Sequence, residues 1–409
     1  MTANPRSPGQ PPLHPALART AARRAHLDEG NLLRSLTLVI QGVPNGINLG
    51  QGVCDLPSPA PLLDGARRCI DGGDRQLYTP YAGLPELRRA IADKLRRHNR
   101  LDLGGLSCGP ENVAVCTGSS GAFFAVGTTL FDPGCEVVLF EPFYSYHWTT
   151  LPLFGAVPRA VALDRDTLAF DPDALRAVLS KKTRAVVVNT PGNPSGKVWT
   201  RAELEALADV LDGTDVAVIT DEVYEYMCFD GREHLSPAAV PGLAERTLTL
   251  NSFSKTYSIT GWRIGFVAGP AAIVDKIGIC FDQIEVCAAR PMQRGVQRAL
   301  EELPDSFYRE LQQGYQHKRD RFCAALADAG FRFQKPEGAY YVLADYGAVF
   351  GDIDPHAAVL QMIERIGVNA VPGHLFFARP DGVRSMRFQF AVELPVLDEA
   401  CARVRRLAR

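Results

Sequence analysis

Five short strand-like runs, four of them apolar and each ending in a polar or glycine-bearing turn, constrain this chain most strongly. They are Asn112–Thr117, Val137–Phe140, Ala185–Asn189, Val216–Thr220 and Arg246–Asn251. Each is strand-length and rich in β-branched residues, and helix-like segments lie between them. Regular alternation of buried strands with helices predicts an α/β chain built on a mostly parallel sheet. In open sheets of this kind ligands bind beyond the carboxyl ends of the strands, so the turns after the five runs are the places to look for chemistry.

Those turns carry a coherent set of groups. The first run empties into Gly118-Ser119-Ser120-Gly121 ahead of the helix-like Ala122–Val126. Backbone N–H groups at a helix start, with serine hydroxyls, can hold a phosphate. The segment matches neither the nucleotide-binding G-x-x-x-x-G-K-[ST] loop nor G-x-G-x-x-G, which disfavours dinucleotide binding. The second run leads to Glu141-Pro142-Phe143-Tyr144, where Tyr144 is placed to stack on a flat ring. The third leads to Thr190-Pro191-Gly192-Asn193-Pro194-Ser195-Gly196, a stiff turn that offers the amide of Asn193. The fourth delivers Asp221-Glu222-Val223-Tyr224, an acid and a phenol at a strand end.

The fifth delivers Ser252-Phe253-Ser254-Lys255, with Gly261-Trp262-Arg263 shortly after. A lysine amine condenses with a carbonyl compound, and hydroxyls beside a guanidinium suit a phosphate dianion. Near the C-terminus, Val383–Phe390 alternates as a strand does, which sets Arg387 opposite Met386 and Phe388 and gives Arg384 their parity. Alternation alone does not decide which arginine meets a substrate carboxylate.

In order and type these motifs resemble the class I/II pyridoxal-phosphate-dependent aminotransferases, in particular the kynurenine, glutamine and methionine aminotransferase branch. The likeness runs from Asn48-Leu49-Gly50-Gln51-Gly52 to Arg387-Phe388. It implies fold type I: a large domain with a mostly parallel mixed sheet flanked by helices, over residues 61–299, and a smaller α+β domain from 31–60 and 300–409. By resemblance Lys255 carries pyridoxal 5'-phosphate and moves the proton, Asp221 pairs with the ring nitrogen, and Tyr224 and Asn193 bind the phenolate oxygen. Gly118, Ser119, Ser120, Ser252 and Arg263 would hold the phosphate. Tyr78 matches the tyrosine lent to the neighbouring subunit, which implies a homodimer with shared sites. The family's Arg-Phe pairing selects Arg387 for the carboxylate of the amino acid or 2-oxo acid, with Asn193 and the Gly52 backbone as further contacts.

Where the family has a proline in G-Q-G-x-P-D, this chain has Cys54, followed by Asp55. Tyr81, Phe143, His147, Trp148 and Tyr340 are expected to form an aromatic or apolar pocket, which points to large neutral amino acids. The same cofactor site also supports β-elimination, racemisation or oxidation of amino acids. A ligand-sensing aminotransferase-like domain would need a DNA-binding module, and the chain ahead of Asn48 is expected to be too short for one.

Bulk properties agree with a metabolic enzyme. The 409 residues are 46% hydrophobic, enough for a large core, and 44 basic against 46 acidic residues give no nucleic-acid surface. No apolar run reaches membrane-spanning length. Ten cysteines are scattered without C-x-x-C spacing, which fits small core residues in the reducing cytoplasm and no metal site. Residues 1–30 are expected to be a flexible tail, because five prolines within Met1–Arg24 oppose the amphipathic helix of an organelle presequence.

Overall fold

The computed structural model describes residues 15, 17, 28–54, 56–72, 75–103 and 106–408. The proline-rich opening lies almost wholly outside these residues, as does Asp55.

All five runs form strands of one seven-stranded sheet. In chain order the strands are β1 (Val113–Cys116), β2 (Glu136–Glu141), β3 (Val157–Ala162), β4 (Thr183–Asn189), β5 (Ala217–Asp221), β6 (Thr247–Ser252) and β7 (Gly265–Ala268). Their spatial order is β1-β7-β6-β5-β4-β2-β3. Only β7 runs against its neighbours, pairing antiparallel with both β1 and β6, while β6, β5, β4, β2 and β3 are parallel.

Period-two alternation sends successive side chains of a strand to opposite faces, and helices cover both. In β4, Ala185 and Val187 face a cluster with Phe123, Val126 and Phe281, whereas Val186 and Val188 face one with Leu204, Leu207 and Leu211. Each such aliphatic side chain, fully withdrawn from water, contributes about 1.5–3 kcal/mol. With both faces spoken for, polar groups have room only at the strand ends.

A second sheet has strands β8 (Arg332–Phe333), β9 (Tyr341–Asp345), β10 (Val371–Pro372) and β11 (Ser385–Gln389), in the order β8-β9-β11-β10 with antiparallel pairing throughout. Ile47–Asn48 pairs in parallel with Val368–Asn369 and thereby ties the segment leading to Gly50 and Gly52 into this part of the molecule. The core under the second sheet includes Leu36, Ile40, Phe322, Met362, Met386, Phe388 and Leu397. It also takes in Val223, Tyr224, Met227 and Phe229, which follow β5. The turn after the main sheet's central strand is thus packed against the second body, and the two sheets are joined at the place where the expected site lies.

All ten cysteines are free thiols and seven are buried. Among the described residues no helix is long and apolar enough to cross a membrane.

Candidate active site

Ser252 closes β6, and its Oγ caps the single helical turn Phe253–Thr256 by accepting from the Ser254 N–H at 3.2 Å. That turn fixes Lys255. Its Nζ donates to the Gly52 carbonyl at 2.8 Å, and the Tyr340 hydroxyl donates to the same oxygen at 3.1 Å. The ammonium also lies 5.8 Å from the centre of the Tyr340 ring. One carbonyl therefore holds the lysine amine, with no carboxylate paired to it among the described residues. Cys54 approaches from the same segment, with Sγ 3.7 Å from the Lys255 carbonyl oxygen.

Asp221 ends β5 and is only 3% exposed. Its Oδ2 lies 3.2 Å from Nε2 of buried His147, while Oδ1 is buried with no hydrogen-bond partner. Leaving a buried carboxylate oxygen unpaired costs about 1–3 kcal/mol or more, so the position is built for a donor from outside the chain. At the neighbouring strand end, Asn189 Nδ2 donates to the Asp221 carbonyl at 2.9 Å, and its Oδ1 accepts the Asn193 N–H at 2.7 Å. The Asn193 turn contains two cis peptides, Thr190–Pro191 and Asn193–Pro194.

Asn193 Oδ1 in turn accepts from Arg387 Nη1 at 2.9 Å, and Arg387 Nη2 donates to the Gly50 carbonyl at 2.7 Å. Arg387 is 3% exposed, its Nε has no partner, and its guanidinium lies 4.4 Å from the Tyr341 ring centre and 5.2 Å from that of Phe376. Planar stacking with spare N–H groups is the geometry in which a guanidinium takes a carboxylate. Met386 and Phe388 lie in the core beneath. Arg384 falls one residue before β11, outside the strand's alternation, and is exposed 3.9 Å from Asp352. Tyr224 donates its hydroxyl to Tyr341 Oη at 3.1 Å, and burial, then the neighbouring Tyr341, pushes the Tyr224 phenol well above its ordinary range. It remains a proton-bearing donor.

The expected phosphate cradle begins at Gly118, whose φ is +75°, at the start of the thirteen-residue helix Gly118–Leu130. Ser119 is half-buried and Ser120 is exposed at the same helix start. Arg263, with φ +56°, is folded back so that Nη1 bonds the Thr260 carbonyl at 3.0 Å and Nη2 the Thr117 carbonyl at 3.2 Å. A Cβ on Gly118 would stand 2.5 Å from Arg263 Nη2, so the approach of guanidinium to helix start requires glycine. Ser252 Oγ and Ser254 Oγ are 2.7 Å apart.

Two expected contributors stand apart. The ring of Tyr78 is 80% exposed and makes no hydrogen bond or ring contact among the described residues, although Arg290 holds its backbone carbonyl at 3.2 Å. Tyr81, expected in the substrate pocket, donates to Asp275 at 2.6 Å. Tyr144 stacks on Tyr146 with ring centres 5.3 Å apart and meets His147 edge-on at 5.1 Å. Trp148 stacks flat on Phe143 at 4.6 Å.

His147 was expected as a pocket aromatic, whereas its place is beside Asp221. The signal is its position three residues after Tyr144, the residue that precedes the short helix Ser145–Thr150 carrying His147. Tyr341, unremarked beside Tyr340 in the sequence, receives the Tyr224 hydrogen bond and lies under Arg387. Nothing in the local pattern distinguishes the two adjacent tyrosines.

The donor set fits pyridoxal phosphate. An unpaired carboxylate oxygen awaits a ring N–H, a phenol and an amide stand near, an amine is held by a carbonyl without a counter-carboxylate among the described residues, and a helix start with an arginine offers an anion site. The sequence profile described as "Aminotransferase class I and II" matches residues 44–404. A probable N-succinyldiaminopimelate aminotransferase of Mycobacterium tuberculosis is 36% identical over 375 residues, covering 88% of this chain and 92% of its own. Human kynurenine–oxoglutarate transaminase 1 is 33% identical over 367 residues, covering 82% and 85%. The crystal structure of an Escherichia coli methionine aminotransferase superposes with a TM-score of 0.86 at 31% identity, covering 92% of this chain and 96% of that one. Matches of this extent, on a fold whose strand ends converge on such a site, make this chain a member of the class I and II aminotransferases, a fold type I enzyme that uses pyridoxal phosphate to transfer amino groups.

Proposed function

We propose that the enzyme takes the amino group of a large neutral amino acid, aromatic or sulfur-containing, and passes it to a 2-oxo acid by a ping-pong sequence. The observation that carries the neutral preference is the setting of Arg387, whose guanidinium is packed between the rings of Tyr341 and Phe376. A side chain lying beside a carboxylate bound there meets aromatic surface. Relatives named for methionine and kynurenine support this reading, while others are named for aspartate.

Pyridoxal phosphate, when bound, supplies the aldehyde that takes the amino group and the ring that accepts an electron pair. In this reading Lys255 Nζ carries the proton away from the substrate α-carbon and returns it. Asp221 Oδ1 accepts the ring N–H, and His147 holds Oδ2 so that the carboxylate stays oriented. Tyr224 donates its hydroxyl and Asn193 its amide to the phenolic oxygen, with Tyr144 against the ring. Gly118, Ser119, Ser120, Ser252 and Arg263 hold the phosphate. Arg387 clamps the substrate carboxylate, with Asn193 and the Gly52 backbone beside it. The reading also assigns residues 31–60 and 300–409 to a small domain and 61–299 to a large one.

A homodimer in the cytoplasm completes the proposal. Exposed Tyr78, held at its backbone by Arg290, is available to a second subunit, and ten free thiols suit a reducing compartment.

The test is a screen of amino donors against several 2-oxo acids. Phenylalanine and methionine are expected to exceed aspartate as donors, and Lys255→Ala is expected to lower turnover by about 10³-fold. Preference for aspartate would overturn the substrate assignment. Undiminished activity of the variant would overturn the role of Lys255, and catalytic release of ammonia without a 2-oxo acid would replace transamination by elimination.

A further inference from the structure

Glu225 and Tyr226 follow Tyr224 in the chain but line a separate cavity of about 810 Å³, none of whose lining residues belongs to the site described above. The volume is in the range of small-molecule sites. Its lining holds six lysines and arginines and three carboxylates, and two of the cations pair with carboxylates outside the lining, Arg201 with Glu205 at 3.6 Å and Arg232 with Glu337 at 2.7 Å. Two of the lining carboxylates are engaged locally, Glu225 by Lys94 at 2.5 Å and Glu233 by Arg100 at 3.7 Å. Arg97 and Arg309 have no carboxylate partner among the described residues and stand exposed on the wall. Unpaired guanidiniums converging on one concavity focus a positive field there.

The same cavity has an aromatic wall. His98 stacks on Tyr226 with centres 4.2 Å apart, and Tyr226 stacks on Tyr308 at 4.4 Å. His98 is exposed at the end of this column and presents a flat face. A third feature is His234, whose side chain is 2% exposed and whose Nε2 is 2.8 Å from Glu222 Oε2. Its Nδ1 is buried with no partner. That atom is closed off from the open volume, so His234 belongs to the wall of the cavity rather than to its contact surface.

A metal ion is the rival occupant, since ligand atoms of Glu222, Glu225 and His234 lie within 4.8 Å of one another. The Lys94 ammonium, bonded to both Glu225 oxygens and to Asn99, already supplies the positive charge in that cluster. The first 27 residues of the chain carry four arginines and no acid, so their charge opposes occupation of a basic cavity.

We propose that this cavity binds a nucleoside polyphosphate, or a small molecule of the same chemistry: phosphates on Arg97 and Arg309 and a flat ring on His98. Isothermal titration of the cofactor-loaded enzyme with ATP in metal-free buffer tests it, since the loaded cofactor already fills the phosphate cradle of the active site. Saturable binding is expected, tighter than that of inorganic tripolyphosphate. The double variant Arg97→Glu/Arg309→Glu should weaken ATP by at least about tenfold with basal transamination unchanged, and His98→Ala should weaken ATP while sparing tripolyphosphate. Absence of saturable binding at millimolar ATP, or equal ATP affinity in the double variant, would overturn the site. Equal affinity for ATP and tripolyphosphate would overturn the nucleotide assignment.

Discussion

Gly52 is the residue on which the site converges. Its carbonyl takes both Lys255 Nζ and the Tyr340 hydroxyl, and a Cβ on it would overlap Tyr341 Oη, the acceptor of Tyr224. Gly52→Ala is therefore expected to lower kcat/KM by more than about tenfold through displaced tyrosines, and to cost about 1–3 kcal/mol of stability because the added methyl overpacks a buried ring. Adding Tyr341→Phe removes the overlapping oxygen and should restore part of the loss, a non-additivity that steady-state kinetics on the two single variants and the double variant would read. His147→Asn withdraws the partner of Asp221 Oδ2. Cofactor retention should weaken by about 1–3 kcal/mol, measured as the release of pyridoxal phosphate on dialysis. At this scale the sequence is a good guide to residue type: Lys255, Asp221, Asn193 and Arg387 all stand at strand ends or on the second sheet with polar atoms directed at one another or left unpaired. It is a poor guide to pairing, as His147 and Tyr341 show.

Among the elements, the turn after β5 does two jobs. Tyr224 reaches the site while the next residue, Glu225, is buried against Lys94. Burial alone would raise the Glu225 carboxyl, but the Lys94 ammonium outweighs it and draws the group down from 4.5 to about 2. A depressed folded value means that the unfolded chain binds the proton first as acid is added. The stabilisation is then complete above 4.5 and lost as pH falls toward 2. Denaturant titrations across that range should show the loss, and Glu225→Gln should flatten it while costing about 3–5 kcal/mol at neutral pH, since Lys94 stays buried without its partner. The five strands that open onto the site are legible because four are continuous apolar runs and the fifth alternates threonine with leucine before its polar turn. The other two strands of the main sheet are harder to see. β3 lies at an edge, contains Pro158 and is largely exposed, so it lacks the apolar signature, and β7 is four residues long and begins at a glycine.

For the molecule as a whole, the proposed homodimer is what would give the exposed Tyr78 a role. Light scattering should give two chains per particle, and Tyr78→Phe should weaken cofactor binding without altering that mass. A monomer with undiminished activity would remove the shared-site reading.

The sequence by itself determined the α/β alternation, the strand ends at which chemistry gathers and the class of cofactor those residue types suit. Apolar period and turn chemistry are local properties, written within a few residues of one another. Only the tertiary structure decided which groups meet. Lys255 finds Gly52 across 203 residues, Arg387 finds Gly50 across 337, and Tyr224 finds Tyr341 across 117. Those meetings depend on the packing of the second sheet against the turn after β5, a consequence of the whole core that no local pattern encodes.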